Sequence, residues 1–172
     1  MYSGRVISVD IDAVRFPNGK EGELEMVRHP GAAAVIPFAT DPDGEDPQIL
    51  LIKQYRYAAS GFIYEIPAGK LDSGEAPIAC AHRELREETG CTAAHMEPLC
   101  SFYTTPGFTD ERIHAFMAWD LTRGDVSHET DEILTVETVT LSRALELIKS
   151  GELVDAKTAL SILYVAGFRL GR

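Results

Sequence analysis

Glu84, Glu87 and Glu88 recur at a spacing that gathers three carboxylates on one side of a helix. At about 100° per residue they fall within an arc of roughly 100°, beside an apolar stripe of Ile78, Ala81 and Leu85. Like charges three and four residues apart repel by roughly a few tenths of a kcal/mol per exposed pair, and negative charge near a helix C-terminus also opposes the macrodipole. A hard divalent cation such as Mg²⁺ or Mn²⁺ prefers carboxylate oxygens and turns that repulsion into a binding site, with positions left for phosphate and water. Arg83 and Arg86 offset part of the charge, and Arg83 is placed to orient a neighbouring glutamate. Three glutamates alone would equally make a solvated acidic face, so their meaning depends on the residues around them.

The helix that must carry them has signals at both ends. Asp72, Ser73 and Glu75 mark its start, Pro77 suits its first turn, and Gly90 stands just past its end. Upstream, GAAAVIPFA at 31–39 and QILLIKQYRY at 48–57 are apolar runs consistent with central strands, separated by the compact turn DPDGEDP at 41–47. The segment IYEIPAG leads into a glycine turn before the helix. Residues 4–15 and 22–28 alternate apolar and polar, as the strands of an N-terminal hairpin would, with PNGK at the turn. Further strands are expected at 97–104, 112–121 and 133–139, then amphipathic helices at about 141–150 and 155–168. This order predicts an α/β fold, a mixed sheet flanked by helices.

The 172 residues suit one domain with a sizeable core, and with 45% apolar and 25% charged residues the composition is that of an ordinary globular chain. No stretch approaches the roughly eighteen uninterrupted apolar residues of a membrane span. The N-terminus lacks an apolar signal-peptide core. The cysteines Cys80, Cys91 and Cys100 form no CxxC pair, so a reducing cytoplasm is expected and the thiols read as small apolar fillers. A net charge of −11 argues against nucleic acid or an anionic membrane as partner. It is compatible with a phosphorylated small molecule when divalent cations bridge carboxylates to phosphate oxygens.

The stretch GKLDSGEAPIACAHRELREETGC, from Gly69 to Cys91, resembles the Nudix box: a glycine, five residues, a glutamate, seven residues, then Arg-Glu-aliphatic-x-Glu-Glu-x-Gly-aliphatic. Gly69, Glu75, Arg83, Glu84, Leu85, Glu87, Glu88 and Gly90 occupy those places, and Cys91 replaces the usual final aliphatic residue with a thiol that is apolar enough to be buried. With each fixed type at roughly 5–7% of residues, seven such matches arise by chance on the order of once in 10⁸ registers. The resemblance implies an α/β/α sandwich in which the box forms a loop, helix and loop on the mixed sheet. It implies attack by a metal-activated water on a diphosphate phosphorus. Glu84, Glu87 and Glu88 would be the principal metal ligands, with the carbonyl of Ala68 added, while Arg83 and Glu87 would serve catalysis.

The segment YTTPGFTDERIH at 103–114 is similar to the PGF-[ST]-[DE]-E motif of ADP-ribose pyrophosphatases, a Nudix subfamily, and QYRYAASGFIYEIPAG extends the likeness over about residues 22–168. It assigns Arg56, Glu65, Pro106, Gly107 and Glu111 to the substrate, with Arg56 on a phosphate and Glu111 near the terminal ribose. Arg56 could instead pair with Glu65 across neighbouring strands, and Pro106-Gly107 could be only a turn. SHETDEILTVE at 127–137 looks like the acidic loop that often supplies the catalytic base. Glu129 is the first choice, with Asp131 or Glu132 as a further ligand or participant, although the loop aligns in more than one register.

Related enzymes are commonly homodimers that exchange N-terminal strands. Residues 1–30 fit that role, ahead of a hydrolase domain at 31–172, yet their alternation would equally suit a hairpin packed on its own domain. The expected reaction is hydrolysis of ADP-ribose to AMP and ribose 5-phosphate. The alternatives are another sugar nucleotide such as GDP-mannose, a dinucleotide, or a nucleotide-sensing module without catalysis, whose mark would be loss of the box carboxylates.

Overall fold

The alternating N-terminal residues form β1 (Tyr2–Ser3), β2 (Ser8–Arg15) and β3 (Glu21–Arg28), an antiparallel sheet in that order. In this computed structural model, residues 1–124 and 133–171 are described. The first long strand starts at Ser8 and not at residue 4, because the chain turns between Gly4 and Ile7, where the Gly4 amide donates to the Ile7 carbonyl at 2.9 Å. The expected turn lies at Phe16–Lys20, with Gly19 in the left-handed region at φ 80°.

The apolar runs give β4 (Ala32–Pro37) and β5 (Gln48–Arg56), followed by β6 (Gly61–Glu65), the short β7 (Ala68–Lys70) and α1 (Pro77–Thr89). Next come β8 (Cys91–Tyr103), β9 (Arg112–Arg123), β10 (Leu134–Thr140), α2 (Leu141–Ser150) and α3 (Ala156–Tyr164), which continues into a wider helical turn, Val165–Arg169. The order β7-β4-β9-β8 makes the mixed sheet, in which β4 runs parallel to β9 and the other pairs are antiparallel. Strands β10-β5-β6 form a second, antiparallel sheet.

Strand β8 begins six residues before the expected 97, directly after Gly90. Its pairing with β9 shifts register between Pro98 and Cys100, the irregularity proline imposes by removing a ladder donor. That break, and the weak alternation of CTAAHME, hide the strand from a pattern reading.

Period-two alternation on the buried strands divides the core. Ala32, Ala34 and Ile36 of β4 face one side with Ile113 and Met117 of β9, against Leu141, Ala144 and Leu147 of α2 and Ile162 of α3. Ala33 and Val35 face the other side with Phe116 and Ala118, against Cys80, Ala81 and Leu85 of α1. Helices therefore cover both faces, as the α/β/α reading requires. Cys80 and Cys91 are buried fillers, Cys100 is half-buried, and all three thiols are free. Among the described residues no helix is long and apolar enough to cross a membrane.

Candidate functional site

Strand β7 and α1 meet at a glycine. Gly69 pairs with Ala33 on β4, and its missing side chain leaves the room that the Glu84 carboxylate occupies. A Cβ built there would lie 1.8 Å from Glu84 Oε1. On the next α1 turn, Glu88 Oε2 accepts a hydrogen bond from the Ala68 amide at 2.9 Å. Two box carboxylates are thus tied to the strand that precedes their helix.

This arrangement changes the buried face of α1. Cys80, Glu84 and Glu88 form one buried row beside Ala81 and Leu85, whereas Ile78, expected in the apolar stripe, is 43% exposed. The helix is turned so that carboxylates, and not the first apolar residue, meet β7. Its N-cap is Ala76, with no side-chain cap, and Pro77 opens the helix. Asp72, Ser73 and Glu75 precede it in the loop because Glu75 is engaged elsewhere: it accepts from the Asp72 amide at 3.0 Å and from Arg83. Gly90 closes the helix in the left-handed conformation.

Arg83 joins the box together. Its Nε and Nη2 donate to the two Glu75 oxygens at 3.0 and 2.9 Å, its Nη1 donates to Glu84 and to Glu87 at 3.1 Å, and Nη2 also reaches the Lys70 carbonyl at 3.1 Å. The Arg83 hydrogen bonds hold the Glu75 carboxyl down to about 2, and the same contacts, Glu75 first, raise the guanidinium above its ordinary value. Repulsion among neighbouring carboxylates is offset by one cation that also orients them.

The carboxylates of Glu84, Glu87 and Glu88 line a cleft of about 420 Å³ with Ala68, Gly69, Lys70, Asp72, Arg83, Gln54 and Arg56. Among the described residues no three acidic, histidine or cysteine side chains stand grouped as ion ligands, since Glu84 leans on Arg83 and Glu88 on the Ala68 amide. The donor chemistry nevertheless fits a hard divalent cation: carboxylate oxygens predominate, and burial pushes the nearby Cys80 thiol up to about 12, which keeps it protonated. Gln54, only 5% exposed, lines the same cleft with its side-chain carbonyl buried and, among the described residues, without a hydrogen-bond partner. Such an acceptor calls for a donor in the cleft, as the water shell of an ion supplies.

Arg56 borders this cleft while donating through Nε and Nη2 to Glu65 at 2.6 and 2.9 Å. The ion pair with Glu65, one of the two readings of Arg56 left open by the sequence, is present, and Arg56 lines the box cleft as well. Glu65 is 1% exposed. Burial alone would raise its carboxyl, but the Arg56 hydrogen bonds and the charge of Lys157 bring it below its ordinary value.

Among the described residues, Pro106, Gly107 and Glu111 do not line this cleft. Glu111 lines a separate cleft of about 520 Å³ with Thr104, Asp155 and Lys157, and accepts from the Thr104 hydroxyl at 2.9 Å. Pro106 and Gly107 lie in a turn closed by the Phe108 and Thr109 amides, which donate to the Thr105 carbonyl. Glu129, Asp131 and Glu132 fall outside the described residues. Sequence reading missed Gln54, Asp155 and Lys157. Gln54 could have been flagged as a polar residue inside an apolar strand run, but nothing local to Lys157 signals its partner, 92 residues away.

Comparison with known proteins agrees with this geometry. The NUDIX domain family matches residues 28–159. The chain is 46% identical over 167 residues to the ADP-ribose pyrophosphatase of Bacillus subtilis (strain 168), covering 96% of this chain and 88% of that protein. It is 41% identical over 167 residues, with the same coverage, to the Methanol dehydrogenase activator of Bacillus methanolicus. A solved structure described as an ADP compounds hydrolase superposes with a TM-score of 0.81 at 22% identity, covering 99% of this chain and 90% of that one, which is a likeness of fold. Box, sandwich and relatives converge, and the chain belongs to the Nudix hydrolase family.

Proposed function

We propose that this protein is a pyrophosphatase that uses a divalent cation, Mg²⁺ or Mn²⁺, to hydrolyse the diphosphate linkage of ADP-ribose to AMP and ribose 5-phosphate. The observation that carries the reading is one cleft in which Glu84, Glu87 and Glu88 face Arg56, so that acidic ligands and a phosphate-binding cation share the same space. Support for the substrate comes from the 46% identity with the B. subtilis ADP-ribose pyrophosphatase over most of both chains.

In this reading Glu84, Glu87, Glu88 and the Ala68 carbonyl hold the ion. When bound, the ion supplies positive charge for the phosphate oxygens and acidifies water at neutral pH. Arg83 aims the Glu84 and Glu87 carboxylates, and Arg56 binds and orients a phosphate. Glu129 is assigned as the base, with Asp131 or Glu132 as a further metal ligand. Pro106 and Gly107 shape the turn that presents Glu111 to the terminal ribose.

The test is phosphate release, through a coupled phosphatase, from ADP-ribose, GDP-mannose, NADH, diadenosine polyphosphates and nucleoside triphosphates with Mg²⁺ or Mn²⁺. ADP-ribose should be preferred, with activity abolished by EDTA and restored by excess cation. Preference for another diphosphate would discard the substrate. Silence across the panel, with nucleotide binding retained, would identify a sensor.

The N-terminal sheet supports a homodimer. Tyr2, Val6, Ile7, Ile11 and Leu24 are exposed on β1–β3 and the turn between them, apolar side chains that contact with a second copy would cover. We assign residues 1–30 to contact with a second copy of the chain, and residues 31–172 to the hydrolase domain. Sedimentation velocity should show a dimer that Ile11→Asp with Leu24→Asp converts to monomer; a monomeric unsubstituted protein would sink the assignment. The three free thiols suit the cytoplasm.

A further inference from the structure

Arg56 enters the cleft at the end of a long, half-exposed side chain, with 42% of it accessible. Such an arm loses rotamer freedom on gripping a phosphate unless it is ordered beforehand. Its order comes from behind. Arg56 pairs with Gly61 across the β5–β6 ladder, and Glu65 pairs with Ile52, so the guanidinium reaches back along the sheet to the buried carboxylate. Glu65 uses Arg56 Nε and one Nη2 hydrogen, which leaves the Nη1 edge to the cleft.

Glu65 is itself fixed from the other side. The Lys157 ammonium donates to Glu65 Oε2, and to Asp155 Oδ2 at 3.0 Å. Asp155 caps α3, accepting from the Thr158 amide at 3.0 Å and the Thr158 hydroxyl at 2.6 Å. The Thr158 hydroxyl in turn accepts from the Ile66 amide at 2.9 Å, on the residue next to Glu65. The start of α3 is therefore bolted to the end of β6. Lys157, 14% exposed, cannot swing away without giving up its contacts with both carboxylates.

We propose that Lys157 is a positioning residue for substrate binding, fixing the Glu65 carboxylate so that Glu65 holds the Arg56 guanidinium toward phosphate in the box cleft. The inference rests on the reading of Arg56 as a phosphate contact. Lys157 lines the second cleft and not the first, so its effect on phosphate runs through Glu65 and Arg56.

The experiment is a double-mutant cycle on ADP-ribose hydrolysis, with Arg56→Ala, Lys157→Gln and the pair, and with melting temperature measured for each. Lys157→Gln should raise KM about tenfold, which is about 1.4 kcal/mol, and change kcat far less. Lys157→Arg should recover most of the loss. In the Arg56→Ala background Lys157→Gln should add nothing, because the group it positions is gone. Glu65→Gln, which leaves α3 intact, reads the same link should Lys157→Gln fail to fold, and it too should raise KM without a further effect in Arg56→Ala. Losses that multiply in the double mutants, or a fall in melting temperature with KM unchanged, would overturn the positioning role. An Arg56→Ala protein with unchanged kcat/KM would overturn the phosphate contact itself, and the proposal with it.

Discussion

Glu84→Gln and Glu88→Gln proteins should fold normally and lose turnover of ADP-ribose by about a thousandfold or more, equivalent to about 4 kcal/mol in the barrier. The amide keeps the shape of the carboxylate and removes its charge. At Glu88 a glutamine carbonyl can still accept from the Ala68 amide, and at Glu84 it can still accept from Arg83, so packing of α1 on β7 survives. Removing one negative charge relieves repulsion on α1 but, at Glu84, weakens the contact with Arg83, so melting temperature should change little. What is lost is a hard anionic ligand for the divalent cation. The decisive readings are steady-state turnover and a thermal melt of each protein. Turnover that survives either substitution within about tenfold, a loss of only ~1.4 kcal/mol in the barrier, would remove the box glutamates from the metal site.

Gly69→Ala should cost turnover by about a hundredfold or more, close to 3 kcal/mol, although residue 69 contributes no side chain to the reaction. The backbone at Gly69 does not lie in the left-handed region, so alanine introduces no φ strain. Its methyl carbon would sit 1.8 Å from Glu84 Oε1 and 2.1 Å from Glu84 Cδ, and one of them must move. Glu84 is the end of a side chain and is the cheaper part to displace, so the fold should persist while the carboxylate leaves its place beside Arg83. The signature is weaker binding of the cation: the Mg²⁺ or Mn²⁺ concentration for half-maximal rate should rise along with the loss of turnover. Unchanged cation dependence in Gly69→Ala would mean that the close approach does not set the ligand position.

These two substitutions show how unevenly the site was legible. The spacing of Glu84, Glu87 and Glu88 alone places them on one side of α1, because α-helical geometry follows from the covalent chain at about 100° per residue. Gly69 was legible as a box residue, but not the reason for it. The contact it permits joins a strand to a helix through space, and no local propensity encodes that. Ile78 misled because periodicity identifies apolar positions on a helix without saying which side meets the sheet. Arg56 and Glu65 were visible as a possible pair, close in sequence on adjoining strands. Lys157 was not, since its carboxylate partner lies 92 residues away.

The sequence by itself determined the Nudix box, the central place of β4 and β5 and the order of the longer strands and the helices, all properties of spacing along one element or between neighbours, whereas the short β6 and β7 carried too little pattern to be read. Only the tertiary structure decided which carboxylates turn inward, that Arg56 lines the box cleft while Glu111 lines a different one, and that α3 is bolted to β6 behind Arg56. Those facts depend on how separate elements pack, and packing is chosen by the whole core at once, with buried charges forced to find partners wherever the fold brings them.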